Sequence, residues 1–406
     1  MKIAMLTNNY RPFVGGVPIS VERQAQELVK LGHQVTVFAP MYESEDKEQA
    51  ESFREKILEE DKKAPERVVR YRSQKRKMDN GMVYPGIYPT EIFEVFERER
   101  FDRIHVHHPM FVGPWALWLG KKYGIPVIYT YHTRYEDYLH YIPCFRLNEK
   151  STIVKRKAVE WIQKNVIPSY MRWFCNRCDL VFAPSAGMQQ VIREYGVDTP
   201  AAVFPTGLDG AFFRKDVRRS QEIRKQYSRG KRHMLVTVSR LEKEKNYGFL
   251  LRGIAELRQE LGDEFHVLII GEGSQKSELK VRASILGIQD VVTFMGNIPN
   301  DQVKDYLGAA DVFLFASKSE TQGIVLAEAL AAGTPVVAVH ATGTDDIIED
   351  GVNGFLTEER EEEWAAKVIE ALNEETNSRM KNAALISAEN YRSSRLAIYE
   401  EMLYNQ

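Results

Sequence analysis

The chain has 406 residues, 44% hydrophobic and 28% charged, with a formal net charge of −2. That length predicts two or three domains, and the composition excludes a disordered or fibrous chain. Residues 1–200 carry 30 Lys and Arg against 25 Asp and Glu, and residues 201–406 carry 25 against 32; this leaves room for a basic patch on the first half but excludes a general nucleic-acid binder, which shows a broad basic surface.

The N-terminus, MKIAMLTNNYRP, lacks the basic region and apolar stretch of a signal peptide. Lys2–Thr7 reads as a strand, Ser20–Leu31 as a helix capped by Ser20 and stopped at Gly32, and Gln34–Ala39 as the next strand. The charge-dense stretch Glu43–Lys63 reads as a solvated helix or a mobile insertion. Further strands are predicted at Val68–Tyr71, Arg103–His107, Val127–Tyr131, Leu180–Ala183 and Ala202–Phe204. Cys175 and Cys178 have CxxC spacing, but the chain has only three cysteines. A disulfide framework is excluded, a reducing compartment is indicated, and the pair reads as helix-packed thiols.

The charged segment Asp209–Ser228 reads as a linker, after which the alternation restarts. His233–Ser239, Phe265–Ile270, Val291–Phe294, Asp311–Phe315 and Pro335–Val339 read as strands, with helices at Tyr247–Leu261 and from Gly323. The longest apolar run, 323–339, is broken by Glu328, Gly333 and Pro335 and falls short of the ~20 residues of a membrane span. Strands alternating with helices throughout predict an α/β chain of two doubly wound, Rossmann-like halves. The predicted domains are 1–207, 208–388 and a final helix at 389–406.

Four features carry chemistry. Gly15-Gly16 lies between the first strand and helix, where glycines let a backbone approach a phosphate. It is not GxGxxG, so a dehydrogenase is disfavoured. Arg240 and Lys245 lie in the loop after His233–Ser239, and two cations at a strand's carboxyl end suit a diphosphate. The loop contains no GxxxxGK[ST], which disfavours a P-loop ATPase. The third feature, Ser319-Glu320-Thr321-Gln322-Gly323-Ile324, leads into a helix containing Glu328; the free N–H groups there suit phosphate or sugar oxygens, and a carboxylate on an apolar helix suits ribose hydroxyls. Finally, His132 ends a strand and can donate to a sugar hydroxyl. His105, His107 and His108 cluster nearby without HExxH spacing, so a zinc site is not expected.

Together these features resemble the family-four retaining glycosyltransferases of the GT-B fold, across essentially the whole chain. The resemblance implies two Rossmann-like domains facing across a cleft, with the C-terminal helix crossing back to the first. It further implies that Arg240 and Lys245 neutralise the diphosphate of a nucleotide-sugar, which Gly15 and Gly16 approach through their backbone. Glu320 and the N–H groups of Thr321, Gln322, Gly323 and Ile324 would hold the sugar, Glu328 the ribose, and His132 the sugar's 6-hydroxyl. Gly296–Ile298, including Ile298, resembles the base-binding turn. The implied mechanism is front-face attack with retention, without a metal or other cofactor, the leaving phosphate accepting the acceptor's proton.

Within that family, residues 129–142, 172–177 and 319–323 look like segments of bacterial diacylglycerol glucosyltransferases. The implied reaction moves a hexose, glucose from UDP-glucose, onto a membrane glycerolipid. The same chemistry on a soluble sugar or envelope glycan, and a silent nucleotide-sugar-binding scaffold, remain as alternatives. Residues 150–177 interleave Lys155, Arg156, Lys157 and Arg172 with Trp161 and Trp173, the pattern of a helix lying on an anionic membrane. A helix packed on its own domain with a solvated basic edge is the competing reading, and Pro168 should interrupt the segment. The protein is expected in the cytoplasm, peripheral on the inner face of the membrane.

Overall fold

Parallel strands covered by helices on both faces must be apolar throughout. The first strand meets that condition in the computed structural model, which describes all residues except 14, 44–49, 78–81, 137–138, 140–144, 148–150 and 319. This strand, β1 (Lys2–Leu6), buries Ile3, Ala4, Met5 and Leu6 completely. The chain forms two compact units, Met1–Gly207 with Ser393–Gln406, and Leu208–Arg392.

The first unit continues with α1 (Gly16–Lys30), β2 (Gln34–Pro40), α2 (Ala50–Lys63), β3 (Arg67–Tyr71), β4 (Ser73–Lys77) and β5 (Val83–Pro85). Then come α3 (Thr90–Arg98), β6 (Arg103–Val106), α4 (Val112–Tyr123), β7 (Val127–Thr130), α5 (Ile153–Trp161) and α6 (Ile167–Cys175). It closes with β8 (Leu180–Ala183), α7 (Ala186–Glu194) and β9 (Ala201–Val203). Its parallel sheet has the order β3-β2-β1-β6-β7-β8-β9, and β4 and β5 form a separate antiparallel pair.

The second unit contains α8 (Val217–Tyr227), β10 (His233–Val238), α9 (Tyr247–Leu261), β11 (Phe265–Ile270), α10 (Lys276–Ile285) and β12 (Val292–Gly296). It goes on through α11 (Asn300–Ala309), β13 (Val312–Phe315), α12 (Ile324–Ala331), β14 (Val336–Val339), β15 (Gly354–Thr357), α13 (Glu361–Leu372) and α14 (Glu374–Ala388). Its sheet runs β12-β11-β10-β13-β14-β15, all parallel. In each sheet the order reverses at one point, between β1 and β6 and between β10 and β13. Loops diverge there, which is where open α/β sheets take ligands.

Three expectations are corrected. Ser20 is not an N-cap: α1 begins at Gly16, and the Ser20 hydroxyl lies inside the helix, 3.2 Å from Thr206 Oγ1. Pro18 permits the earlier start because the first-turn N–H groups lack helical partners anyway. Asp209–Ser228 is not a linker. Asp216 caps α8 through the Arg219 N–H at 2.9 Å, Ile223 is buried in the apolar core, and Arg224 reaches Asp311 at 2.9 Å, so the helix docks through one buried apolar side chain and an ion pair, too sparse a pattern for hydrophobic periodicity to register. The last helix, α15 (Ser393–Tyr404), starts later than expected. Glu389–Tyr391 is a 3-10 turn in the second unit, where the Leu208 N–H donates to the Tyr391 carbonyl at 2.6 Å. The hairpin β4–β5 and the strand β15 had not been expected. Among the described residues, no helix is long and apolar enough to cross a membrane.

Candidate functional site

In the second unit, Leu235 and Val236 of β10 pair with Val312 and Phe313 of β13. The loops after these neighbouring strands therefore emerge side by side, and they bring Lys245 and Glu320 into an ion pair. The pair is well enclosed, with side chains 11% and 17% exposed. Burial opposes ionisation of Glu320, but the Lys245 ammonium, helped by Ser317 and Arg240, holds its carboxyl below the usual range. Arg240 is half-exposed and donates to Glu244 at 3.1 Å. Glu359 ties the same two loops together, accepting from Asn246 at 2.8 Å and pairing with Lys318.

Gly323 caps α12 with φ +72°, a left-handed conformation that a side chain would strain. Thr321 is half-buried and Gln322 buried just before it, and Ile324 opens the helix. The turn after β14 approaches this segment so closely that a Cβ on Gly343 would lie 2.6 Å from the Gln322 nitrogen. Glu328 is buried in α12, and Ile298, half-buried beyond β12, packs on the apolar core. Thus the structure brings Arg240, Lys245, Glu320 and residues 321–324 to one sheet edge, while Ser319 lies outside the described residues.

In the first unit, Gly15 caps α1 with extended backbone, and a Cβ on Gly16 would meet nothing within 4 Å. The protein's own packing thus does not demand glycine at position 16. Val14, between Phe13 and Gly15, lies outside the described residues. His132 follows β7, with its Nε2 3.0 Å from His107 Nδ1, and the two rings stack at 5.2 Å. Burial lowers the His132 pKa to about 3, with His105 adding to the effect. His108 accepts from the Asn8 N–H at 3.1 Å and so fastens the end of β6 to the end of β1. Among the described residues, no group of three or more His, Cys, Asp or Glu is placed to hold a metal ion.

What the sequence did not disclose is the support beneath these histidines. From α15, the Tyr404 hydroxyl lies 2.5 Å from His105 Nδ1 and donates to Glu400, which also accepts from Gln24 at 2.6 Å. Glu400 is completely buried, and burial pushes its pKa up to about 8. The folded state therefore keeps a proton on Glu400 between pH 4.5 and 8 that the unfolded chain releases, so this group's contribution to stability falls as pH rises through that window. Glu400→Gln keeps an acceptor for Tyr404 and removes the titration. The stability of the variant relative to the parent should rise from pH 5 to pH 8, by on the order of 1.4 kcal/mol per pH unit. Urea unfolding at several pH values checks this, and a difference independent of pH would show that Glu400 titrates normally.

The basic aromatic segment is two helices rather than one. A π-helical turn, Ile162–Val166, joins α5 to α6, and Pro168, which has no N–H, falls in the first turn of α6. Trp161 and Trp173 are 60% and 41% exposed, and Ile153 and Val154 also face solvent. Arg156 and Lys157 are exposed, but Lys155 is half-buried and donates to the Arg146 carbonyl at 2.7 Å. The exposed Arg172 lies along Gly196, within 3.2 Å of where a Cβ there would sit. Cys175 and Cys178 are free and buried, and burial raises both thiols, Cys175 to about 12. Of the segment 129–142, residues 137–138 and 140–142 lie outside the described residues.

Known proteins match this arrangement over its full length. The model described as "Glycosyltransferase Family 4" matches residues 14–212, and that described as "Glycosyl transferases group 1" matches residues 219–386. Alpha-monoglucosyldiacylglycerol synthase of Streptococcus pneumoniae is 30% identical over 404 residues, covering 96% of this chain and 83% of that protein. The synthase of the same name from Acholeplasma laidlawii is 27% identical over 366 residues, covering 89% of this chain and 86% of that protein. Among solved structures, Anabaena HepE in complex with UDP superposes with a TM-score of 0.72 at 18% identity, covering 100% of both chains. The chain belongs to the family-four glycosyltransferases of the GT-B fold, close to the diacylglycerol glucosyltransferases.

Proposed function

We propose that this glycosyltransferase moves glucose from UDP-glucose onto a membrane glycerolipid such as diacylglycerol, forming an α-glycosidic bond with retention. The observation that carries the reading is the enclosed Lys245–Glu320 pair beside Arg240: two cations and an enclosed carboxylate adjoin at the point where the sheet order reverses. The two synthases named above support the glycerolipid acceptor. Arg240 and Lys245 stabilise the charge that develops on the leaving diphosphate, so the reaction requires no metal ion. Glu320 and the backbone N–H groups at the start of α12 hold the sugar, and Glu328 holds the ribose. Gly15 and Gly16 leave room for the diphosphate, and Ile298 lines the base. The His132 imidazole, neutral near pH 7, donates to a sugar hydroxyl.

A competition assay with EDTA present tests the acceptor. Dispersed diacylglycerol and a panel of soluble sugars and envelope glycans compete for labelled UDP-glucose, and label should enter the lipid. Label entering a soluble acceptor instead would overturn the lipid reading, and UDP-glucose left wholly unconsumed would point to a binding scaffold.

The lipid acceptor makes the exposed face of α5 and α6 a membrane contact. Its exposed members include Arg156, which also donates to the Ser151 carbonyl at 3.3 Å, Lys157, Trp161 and Trp173, whereas Lys155 is half-buried against the Arg146 carbonyl and Arg172 lies along Gly196. The same unit exposes Tyr88 and Trp118, with Lys122 Nζ 4.8 Å from the Trp118 ring centroid. Each cation near an anionic surface adds about 1 kcal/mol. Replacing Arg156 and Lys157 by Gln and Trp161 by Ala should weaken sedimentation with anionic vesicles strongly at low salt and less at high salt. Unchanged sedimentation at low salt would remove these residues from the membrane contact.

A further inference from the structure

Beneath His132 lies a stack of imidazoles whose protons can be placed. His105 and His107 stand two residues apart on one face of β6 and its end, completely buried, with ring centroids 4.3 Å apart. The Tyr404 hydroxyl, which also bonds Glu400, lies 2.5 Å from His105 Nδ1. The Thr130 hydroxyl lies 2.6 Å from His105 Nε2. A hydroxyl at each ring nitrogen thus holds the His105 ring in place.

Among the described residues, His107 makes one ring hydrogen bond, between its Nδ1 and His132 Nε2 at 3.0 Å, and its buried Nε2 has no partner. Burial, with the neighbouring histidines, lowers its pKa well below the usual value and keeps it neutral. One proton lies between the two rings. Were it on His132 Nε2, the proton of His107 would sit on its own Nε2, as a buried N–H with no acceptor. Placed on His107 Nδ1, it leaves only a bare ring lone pair unpaired. Orphaned buried N–H groups are the rarer of the two.

We propose that His107 is a positioning residue that donates from Nδ1 to His132 Nε2 and so fixes His132 as the neutral Nδ1–H tautomer. The one donor of the His132 ring is then Nδ1–H, the group that meets the sugar hydroxyl. The catalytic consequence rests on the role of His132 proposed above, whereas the tautomer does not. His105, held by Tyr404 and Thr130, supports the His107 ring from below. The C-terminal helix therefore contributes to the alignment of His132 through His105 and His107.

Two substitutions separate positioning from packing. His107→Phe keeps an aromatic ring in the stack and removes the donor, whereas the amide nitrogen of His107→Asn falls near the place of Nδ1 and donates in its stead. Long-range proton–nitrogen correlation spectra of the full chain with 15N-labelled histidine read the His132 tautomer without substrate. Nδ1–H is expected in the parent and in His107→Asn, and loss of that single form in His107→Phe. Turnover on UDP-glucose and dispersed diacylglycerol should fall at least about tenfold in His107→Phe, with a smaller change in KM for the donor, and recover in His107→Asn. An Nε2–H tautomer in the parent, or an unaltered His132 spectrum in a folded His107→Phe protein, would overturn the proposal. A parent Nδ1–H tautomer together with full activity in His132→Ala would instead overturn the catalytic role of His132 and leave its tautomer assignment standing.

Discussion

Lys245→Ala should lower kcat by about a hundredfold or more, the usual cost of removing a donor from developing negative charge. It should also destabilise the second unit. The Lys245 ammonium compensates a Glu320 carboxylate whose side chain is only 17% exposed, and burial alone would drive that carboxyl toward protonation. Removing one partner of an enclosed pair costs more than the pair contributes, because the remaining charge is left without compensation. The double variant Lys245→Ala/Glu320→Gln should therefore regain melting temperature without regaining turnover. Arg240→Ala should reduce turnover comparably but disturb folding less, since its side chain is 50% exposed. Near-normal turnover in both single variants would mean that the diphosphate binds elsewhere.

Glu320→Gln should abolish most transfer while leaving UDP binding equal or tighter. The proposed partner of the carboxylate is the sugar, which UDP lacks. Without a ligand Glu320 is paired to Lys245, so its neutralisation frees a cation for the diphosphate. Calorimetric titration with UDP, set beside turnover on UDP-glucose, separates the two effects. Parallel losses in both would assign Glu320 to the architecture of the loop rather than to the sugar.

The strands were legible because their apolar runs are buried on both faces; β8, α9 and β11 have the bounds expected of them. Elements held by polar or edge contacts were harder to read. In α8 the buried residue is Ile223, so its charges read as a linker, and β15 lies at a sheet edge. Loops following adjacent parallel strands explain why Lys245 and Glu320, 75 positions apart, could be singled out together before their contact was seen. The pairing itself could not be read, since each residue was assigned to the donor rather than to the other. Nor could the contributions of Glu400 and Tyr404, which reach His105 across about 300 residues of chain and leave no local spacing to recognise.

Retaining hexosyl transfer to a glycerolipid can be read from the anomeric configuration of the product. The chain is incubated with UDP-glucose and dispersed diacylglycerol, and the lipid product is examined by mass spectrometry and by the proton–proton coupling at its anomeric carbon. The expected product carries a single added hexose with the small coupling of an α-glucoside. A β-glucoside would contradict retention, and unmodified diacylglycerol beside a glucosylated soluble acceptor would contradict the proposed acceptor.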